Sequence, residues 1–229
     1  MPEPLILSWS GGKDSALALD ALRASGAHGP IVLLTSVTAG YERISIHGVR
    51  RELLRAQAAA LGLPLHEFRL QPECSNADYE AALAAALAEV RGRFGARRIA
   101  FGDLFLEDVR RYREERVIPL GFEPVFPLWG RGTAALAGEF VERGFQARLV
   151  CVDTTQLDAG FAGRAYDAAL LADLPAGVDP CGENGEFHTF VSAGPGFRAP
   201  VEYDVGEVVM RGGRFAYCDL VPAAAAAPA

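Results

Sequence analysis

The chain has 229 residues, half of them hydrophobic and 22% charged, and a formal net charge of −7. It is long enough to bury a core without disulfide staples, and its acidic balance argues against nucleic acid as a partner, because that footprint is basic. No stretch approaches the ~20 apolar residues of a membrane span, Pro2-Glu3-Pro4 stands where a signal peptide needs basic residues, and the four cysteines form no CxxC pair, so a cytoplasmic protein with reduced thiols and no membrane association is expected.

Leu5-Ile6-Leu7 reads as a strand, and Asp14 to about Ser25 as a helix ending near Gly26. Between them runs Ser8-Trp9-Ser10-Gly11-Gly12-Lys13-Asp14-Ser15. A strand that closes in a Gly- and hydroxyl-rich turn and restarts as a helix predicts a phosphate site. The first N–H groups of the helix lack intrahelical partners and carry the positive end of its dipole. Gly11 and Gly12 let the backbone approach a ligand, Ser10 and Ser15 add hydroxyls, and Lys13 brings a point charge. The spacing is not that of a Walker A loop.

Farther along, Ile31–Leu34, Leu65–Leu70 and Arg98–Phe101 read as strands, with helices over His47–Leu61, Tyr79–Phe94 and Glu107–Val117. Pro124–Leu128 is extended, Thr133–Arg143 helical, and Ala147–Val152 another strand. This alternation predicts a doubly wound, mostly parallel α/β sheet, with ligands at the carboxyl ends of its strands. The loop lies at one such end, as do Thr35-Ser36 and Gly102-Asp103. After residue 153 a helix over Gly163–Leu174 and short strands with a Gly212-Gly213 turn suggest a small α+β unit. The expected division is 1–130 for nucleotide binding, 131–221 for the acceptor, and a disordered Ala/Pro tail over 222–229.

A second cluster lies in residues 179–191, Asp-Pro-Cys-Gly-Glu-Asn-Gly-Glu-Phe-His-Thr-Phe-Val. Strand alternation from Glu186 places Glu186 and His188 on one face, a carboxylate beside an imidazole, suited to proton transfer or ammonium binding. The spacing equally fits a hairpin turn at Asn184-Gly185 with charged flanks. Arg110 and Arg113 fit either a solvated helix face or a phosphate-facing one, and His47 reads as a cap or surface residue.

The SGGKDS loop resembles the PP-loop of the N-type ATP pyrophosphatases, which have the adenine nucleotide alpha hydrolase-like fold. With Gly102-Asp103, Pro127-Leu128-Trp129 and Gly182-Glu183-Asn184-Gly185-Glu186-Phe187-His188-Thr189-Phe190, the chain resembles the diphthine–ammonia ligase family over residues 4–220. The resemblance implies ATP-dependent amidation: a carboxylate attacks the α-phosphorus, pyrophosphate leaves, and ammonia displaces AMP. It implies ATP and Mg²⁺ as cofactors, with the metal ligands unknown, and ammonia or another amine as partner. Elongation factor 2 joins them if the source is archaeal or eukaryotic, and a homodimer is compatible. Ser10, Gly11, Gly12, Lys13, Asp14 and Ser15 would hold the phosphates. Thr35, Ser36 and Gly102 would line the adenosine end, with Asp103 at the ligand edge. Lys13, Asp14, Glu183, Glu186 and His188 would be catalytic, the last three meeting the acceptor or ammonia. The archaeal and eukaryotic pattern has Glu in place of His188 and Gly in place of Asn184. Related proteins occur in bacteria, which lack diphthamide, so the acceptor stays open. The alternatives are a PP-loop tRNA-modifying enzyme, with Cys181 as its sulfur carrier, and a nucleotide-binding regulator without turnover.

Overall fold

The computed structural model describes residues 3–45 and 47–223, and residues 224–229, where most of the expected tail falls, lie outside the described residues. Strand β1 (Leu5–Ser8) leads through the glycine loop into helix α1 (Lys13–Ser25). There follow β2 (Ile31–Thr38), β3 (Arg43–Ile44), α2 (Arg51–Leu61), β4 (Leu65–Leu70), α3 (Asn76–Phe94), β5 (Arg98–Ala100), α4 (Glu107–Val117) and β6 (Glu123–Val125). The chain continues with α5 (Thr133–Glu142), β7 (Gln146–Asp153), α6 (Ala168–Asp173), β8 (Phe187–Ala193), β9 (Tyr203–Arg211) and β10 (Phe215–Pro222). The tail expected from residue 222 thus begins on the last residue of β10.

Leu33 of β2 is paired with Leu7 of β1 on one flank and with Leu65 of β4 on the other, both parallel. On its far side β1 pairs with β5, and β5 with β6. The parallel strands therefore run β4-β2-β1-β5-β6, and the direction of winding reverses between β1 and β5. Loops that leave neighbouring strands at a reversal splay apart and open a crevice. Here those loops are the glycine loop and Gly102-Asp103. Short β3 pairs antiparallel with the end of β2.

Both faces of this sheet are covered, which is why its strands read as unbroken apolar runs. Ile6, Val32 and Ile99 pack against Leu83, Leu87 and Val90 of α3. Leu5, Leu7 and Leu33 share the larger core with α1, α2, α5 and the second sheet. Helix α3 is fixed at its start by a capping box, the Ser75 hydroxyl accepting from the Asp78 N–H and the Asp78 carboxylate from the Ser75 N–H. Among the described residues no helix is long and apolar enough to cross a membrane.

Four differences from the sequence reading have physical causes. Strand β7, expected to extend the parallel sheet, lies instead inside a separate antiparallel sheet of order β8-β7-β10-β9. A strand buried on both faces shows the same apolar run in either sheet. Residues 47–50, expected in α2, close the β3 turn, with the Ile44 N–H donating to the Val49 carbonyl. Gly48 there lies so close to Tyr217 of β10 that a β-carbon would come within 2.7 Å of its ring. Residues 163–166, expected in a helix, run beside β7: the Gly163 and Tyr166 N–H groups donate to the Leu149 and Ala147 carbonyls. Helix α6 begins only after Asp167, whose carboxylate caps the Leu170 N–H at 2.8 Å. Finally, residues 174–183, which lead into Asn184-Gly185, form no strand, so these residues do not turn a hairpin; Gly212-Gly213 joins β9 to β10 as expected.

Candidate active site

The glycine loop is pinned from two directions. Gln57 of α2 is fully buried, and its Nε2 donates to the carbonyls of Gly11 at 2.9 Å and Val191 at 2.6 Å. Its Oε1 accepts from the Trp9 indole at 3.1 Å. From the second sheet, the Val191 N–H donates to the Gly11 carbonyl at 2.9 Å, and the Thr189 hydroxyl accepts from the Lys13 N–H at 3.0 Å. Gly11 has φ +77°, and a β-carbon on it would fall 2.7 Å from Gln57 Oε1. Only glycine meets both demands. Gly102, in the neighbouring loop, is needed for space alone, since a β-carbon there would lie 3.0 Å from the Asp14 backbone.

The loop borders a cavity of about 690 Å³ at the carboxyl ends of the parallel strands. Of the expected residues, Ser10, Lys13, Asp14, Ser15, Thr35, Ser36, Gly102, Asp103, Glu183 and His188 line it; Gly11, Gly12 and Glu186 do not. Lys13 is 2% exposed, and its Nζ bonds both Asp14 oxygens, at 2.7 and 2.8 Å. Burial pulls the ammonium toward its neutral form, but Asp14, Cys181 and Glu183 together carry its pKa above the ordinary lysine value. A fixed cation thus sits at the foot of the loop.

Glu183 reaches the cavity from residues 178–186, and its Oε1 accepts from the Leu104 N–H at 2.7 Å. Burial lifts its pKa to about 7; the Leu104 bond opposes this, while Asp14 and Asp103 reinforce it. A carboxyl poised near neutrality beside the glycine loop is placed for proton transfer. Glu186, expected on the same face as His188, points into its own loop. Its carboxylate accepts from the N–H of Asp179 at 2.9 Å, the N–H of Asn184 at 3.0 Å and Asn184 Nδ2 at 3.0 Å. It holds the shape of the segment that presents Glu183.

His188 stacks on His47 with ring centroids 4.6 Å apart. His47, expected as a cap or surface residue, lines the cavity, with Nδ1 3.2 Å from the Thr189 carbonyl oxygen. Arg110 belongs to the structural side, lodged over the Phe126 and Trp129 rings and bonded to Glu114. Arg113 lines the cavity and lies 3.4 Å from Asp103. Cys181 is buried and its thiol donates to the Thr133 carbonyl. Burial pushes that thiol up to about 12, so the thiolate that sulfur transfer needs is disfavoured.

Comparison with known proteins gives the site a family. Residues 4–122 match the diphthamide synthase N-terminal domain, and residues 132–219 the diphthamide synthase C-terminal domain. The zebrafish (Danio rerio) diphthine–ammonia ligase is 28% identical over 223 residues, covering 88% of this chain and 86% of the relative. Its human (Homo sapiens) counterpart is 27% identical over 225 residues, with 88% and 83% covered. Among solved structures, a "predicted subunit of tRNA methyltransferase" from Methanocaldococcus jannaschii aligns with TM-score 0.45 and 16% identity, over 84% of this chain and 98% of that one. With both domain models matched in order along nearly its whole length, the chain belongs to the diphthamide synthase family.

Proposed function

We propose that this protein is an ATP-dependent amide ligase that splits ATP into AMP and pyrophosphate and joins ammonia to a carboxylate. The observation that carries the reading is the single cavity bounded by the Ser10–Ser15 loop on one side and by Glu183 and His188 on the other. The relatives that carry the name diphthine–ammonia ligase support it, and diphthine on elongation factor 2 is the first acceptor to test.

In this reading the loop and the N-terminus of α1 bind the phosphates, and Thr35, Ser36 and Gly102 border the nucleoside. The acceptor carboxylate oxygen bonds to the α-phosphorus as the bond to pyrophosphate breaks. Lys13 offsets the charge that grows on the leaving group. Ammonia then forms a C–N bond with the acyl carbon, the C–O bond to AMP breaks, and one proton is released. Glu183 is the group placed to receive it. Asp14 and Asp103 supply cavity carboxylates of the kind that hold a phosphate-bound Mg²⁺. Bound there, the ion would neutralise phosphate charge. The split into a nucleotide unit over 1–130 and an acceptor unit over 131–221 is in keeping with the two matched domains. Four free thiols accord with a reducing, cytoplasmic compartment.

The test is nucleotide chromatography after incubation with ATP, Mg²⁺, ammonium chloride and candidate carboxylates, diphthine-bearing elongation factor 2 among them. AMP and pyrophosphate in equal amounts, dependent on the carboxylate, are expected. ADP as the main product would overturn the assignment.

A further inference from the structure

His47 stands in the turn after β3 and His188 on β8, and their rings stack at 4.6 Å with 38° between their planes. Both line the cavity. A β-carbon on Gly12 would fall 3.0 Å from His47 Cε1, so the pair abuts the phosphate loop.

The partner of His47 decides where its proton sits. Nδ1 lies 3.2 Å from the Thr189 carbonyl oxygen, which can only accept, so Nδ1 carries the hydrogen. Burial lowers the pKa of the ring to about 4; the Thr189 bond opposes the shift and the Lys13 charge adds to it. A neutral imidazole protonated at Nδ1 leaves Nε2 as a bare acceptor. His188 is neutral as well, brought down to about 3 by burial, then by His47 and Lys13. Lys13 is the charge outside the pair that acts on both rings; Asp14, Glu183, Asp103, Glu73, Arg113 and Arg116 line the same cavity. Asp14 screens Lys13 only in part across their 2.7 Å contact, since the Lys13 charge still lowers the pKa of both rings, and Glu183, at about 7, is partly protonated near neutrality. The wall formed by the pair therefore offers an uncharged acceptor beside a fixed ammonium. That suits a neutral N–H donor and disfavours a cation.

We propose that His47 and His188 seat the nitrogen nucleophile and take it as neutral ammonia, or a small neutral amine, rather than as ammonium ion. The inference rests on the amide-ligase reading of the same cavity. Ammonia held through one N–H on Nε2 keeps its lone pair free, whereas the lone pair of ammonium is already spent on a proton. The seat thus selects the reactive form. A carboxylate in place of His188 would reverse the preference by attracting the cation.

The experiment uses the full chain with ¹⁵N-labelled histidine and saturating ATP, titrated with ammonium chloride at several pH values between 7 and 9, with sodium chloride as the ionic-strength control. The ring nitrogens of His47 and His188 are expected to shift saturably. The midpoint in total ammonia should fall about tenfold from pH 7 to 8 and less steeply from 8 to 9, where the pH nears the pKa of ammonium itself, following the neutral fraction. In His188→Glu the midpoint should become insensitive to pH between 7 and 8. A pH-independent midpoint in the unaltered protein, or no response with ATP bound, overturns the seat alone. ATP binding is read in the same samples by calorimetry, and failure to bind overturns the ligase reading and the seat with it.

Discussion

Gln57 holds the Gly11 carbonyl at 2.9 Å from a helix 46 residues farther along the chain, so the glycine loop does not depend on its own sequence alone for its shape. The same amide satisfies Val191 and the Trp9 indole. Gln57→Leu removes the acceptor of the Trp9 indole and one donor each from the Val191 and Gly11 carbonyls, of which Gly11 keeps the Val191 N–H, and an orphaned buried group costs about 1–3 kcal/mol. The variant is expected to lose about 2–4 kcal/mol in urea unfolding, and the ATP that still binds should do so more weakly by calorimetry. An unchanged midpoint would mean that the loop holds itself.

Lys13→Ala should lower acceptor-dependent AMP formation by about 10²-fold or more, the scale of losing one charge-stabilising donor. Lys13→Arg should not restore it, because Lys13 is 2% exposed and a guanidinium needs more room and a different fork of donors. Steady-state AMP release measures both. Full activity in the arginine variant would show that any cation suffices.

Glu183 gives a pH prediction with a definite sign. Its folded pKa of about 7 lies above the ordinary 4.5, so between those values the folded protein binds more protons than the unfolded chain. Stability from this group therefore declines as pH rises from 4.5 to 7. Glu183→Gln should raise the thermal midpoint at pH 8 and leave it nearly unchanged at pH 4. The same variant should abolish the rise of AMP formation through pH 7. A midpoint unchanged at pH 8 would refute the buried, poised carboxyl.

Asp219 of β10 bonds Arg43 of β3 and Arg50 ahead of α2, at 2.8 and 2.6 Å, and so ties the second sheet to the first. Its pKa is about 2: burial pushes it up, and the two arginines more than reverse this. Here the folded value lies below the unfolded 3.8, so the stabilisation is complete above pH 3.8 and disappears as pH falls toward 2. Asp219→Asn should lower stability at pH 7 and narrow that gap at pH 2, as read by acid and urea unfolding. Equal losses at both pH values would assign the effect to packing.

The parallel sheet, the helices over residues 107–117 and 133–142, and the glycine loop were legible because each is a local pattern: a continuous apolar strand, a charged run of helix formers in the first helix and an apolar stripe in the second, glycines at a strand-to-helix corner. Ser10, Lys13, Ser15, Gly102, Asp103, Glu183 and His188 meet in one cavity, as motif reading expected. What escaped depends on distance along the chain. Strand β7 carries no local mark of which sheet it joins. His47 is a cavity residue only because β8 brings His188 and the Thr189 carbonyl to it. Glu186 alternates correctly with His188 on paper, yet three donors of its own loop claim its carboxylate. Gln57 left one usable signal, a polar amide among Leu53, Leu54, Ala58 and Leu61 on the buried face of α2.

The bonds from Thr189 to Lys13 and from Gln57 to Val191 span 176 and 134 residues. A nascent chain has its loop sequence within the first fifteen residues, but it cannot complete the cradle until β8 has emerged from the ribosome. Contacts this far apart in sequence form slowly and late. Nucleotide affinity should therefore arrive abruptly, once β8 has joined the loop. ATP is then a ligand only of chains in which β8 has already joined the loop, and its binding energy protects those chains alone.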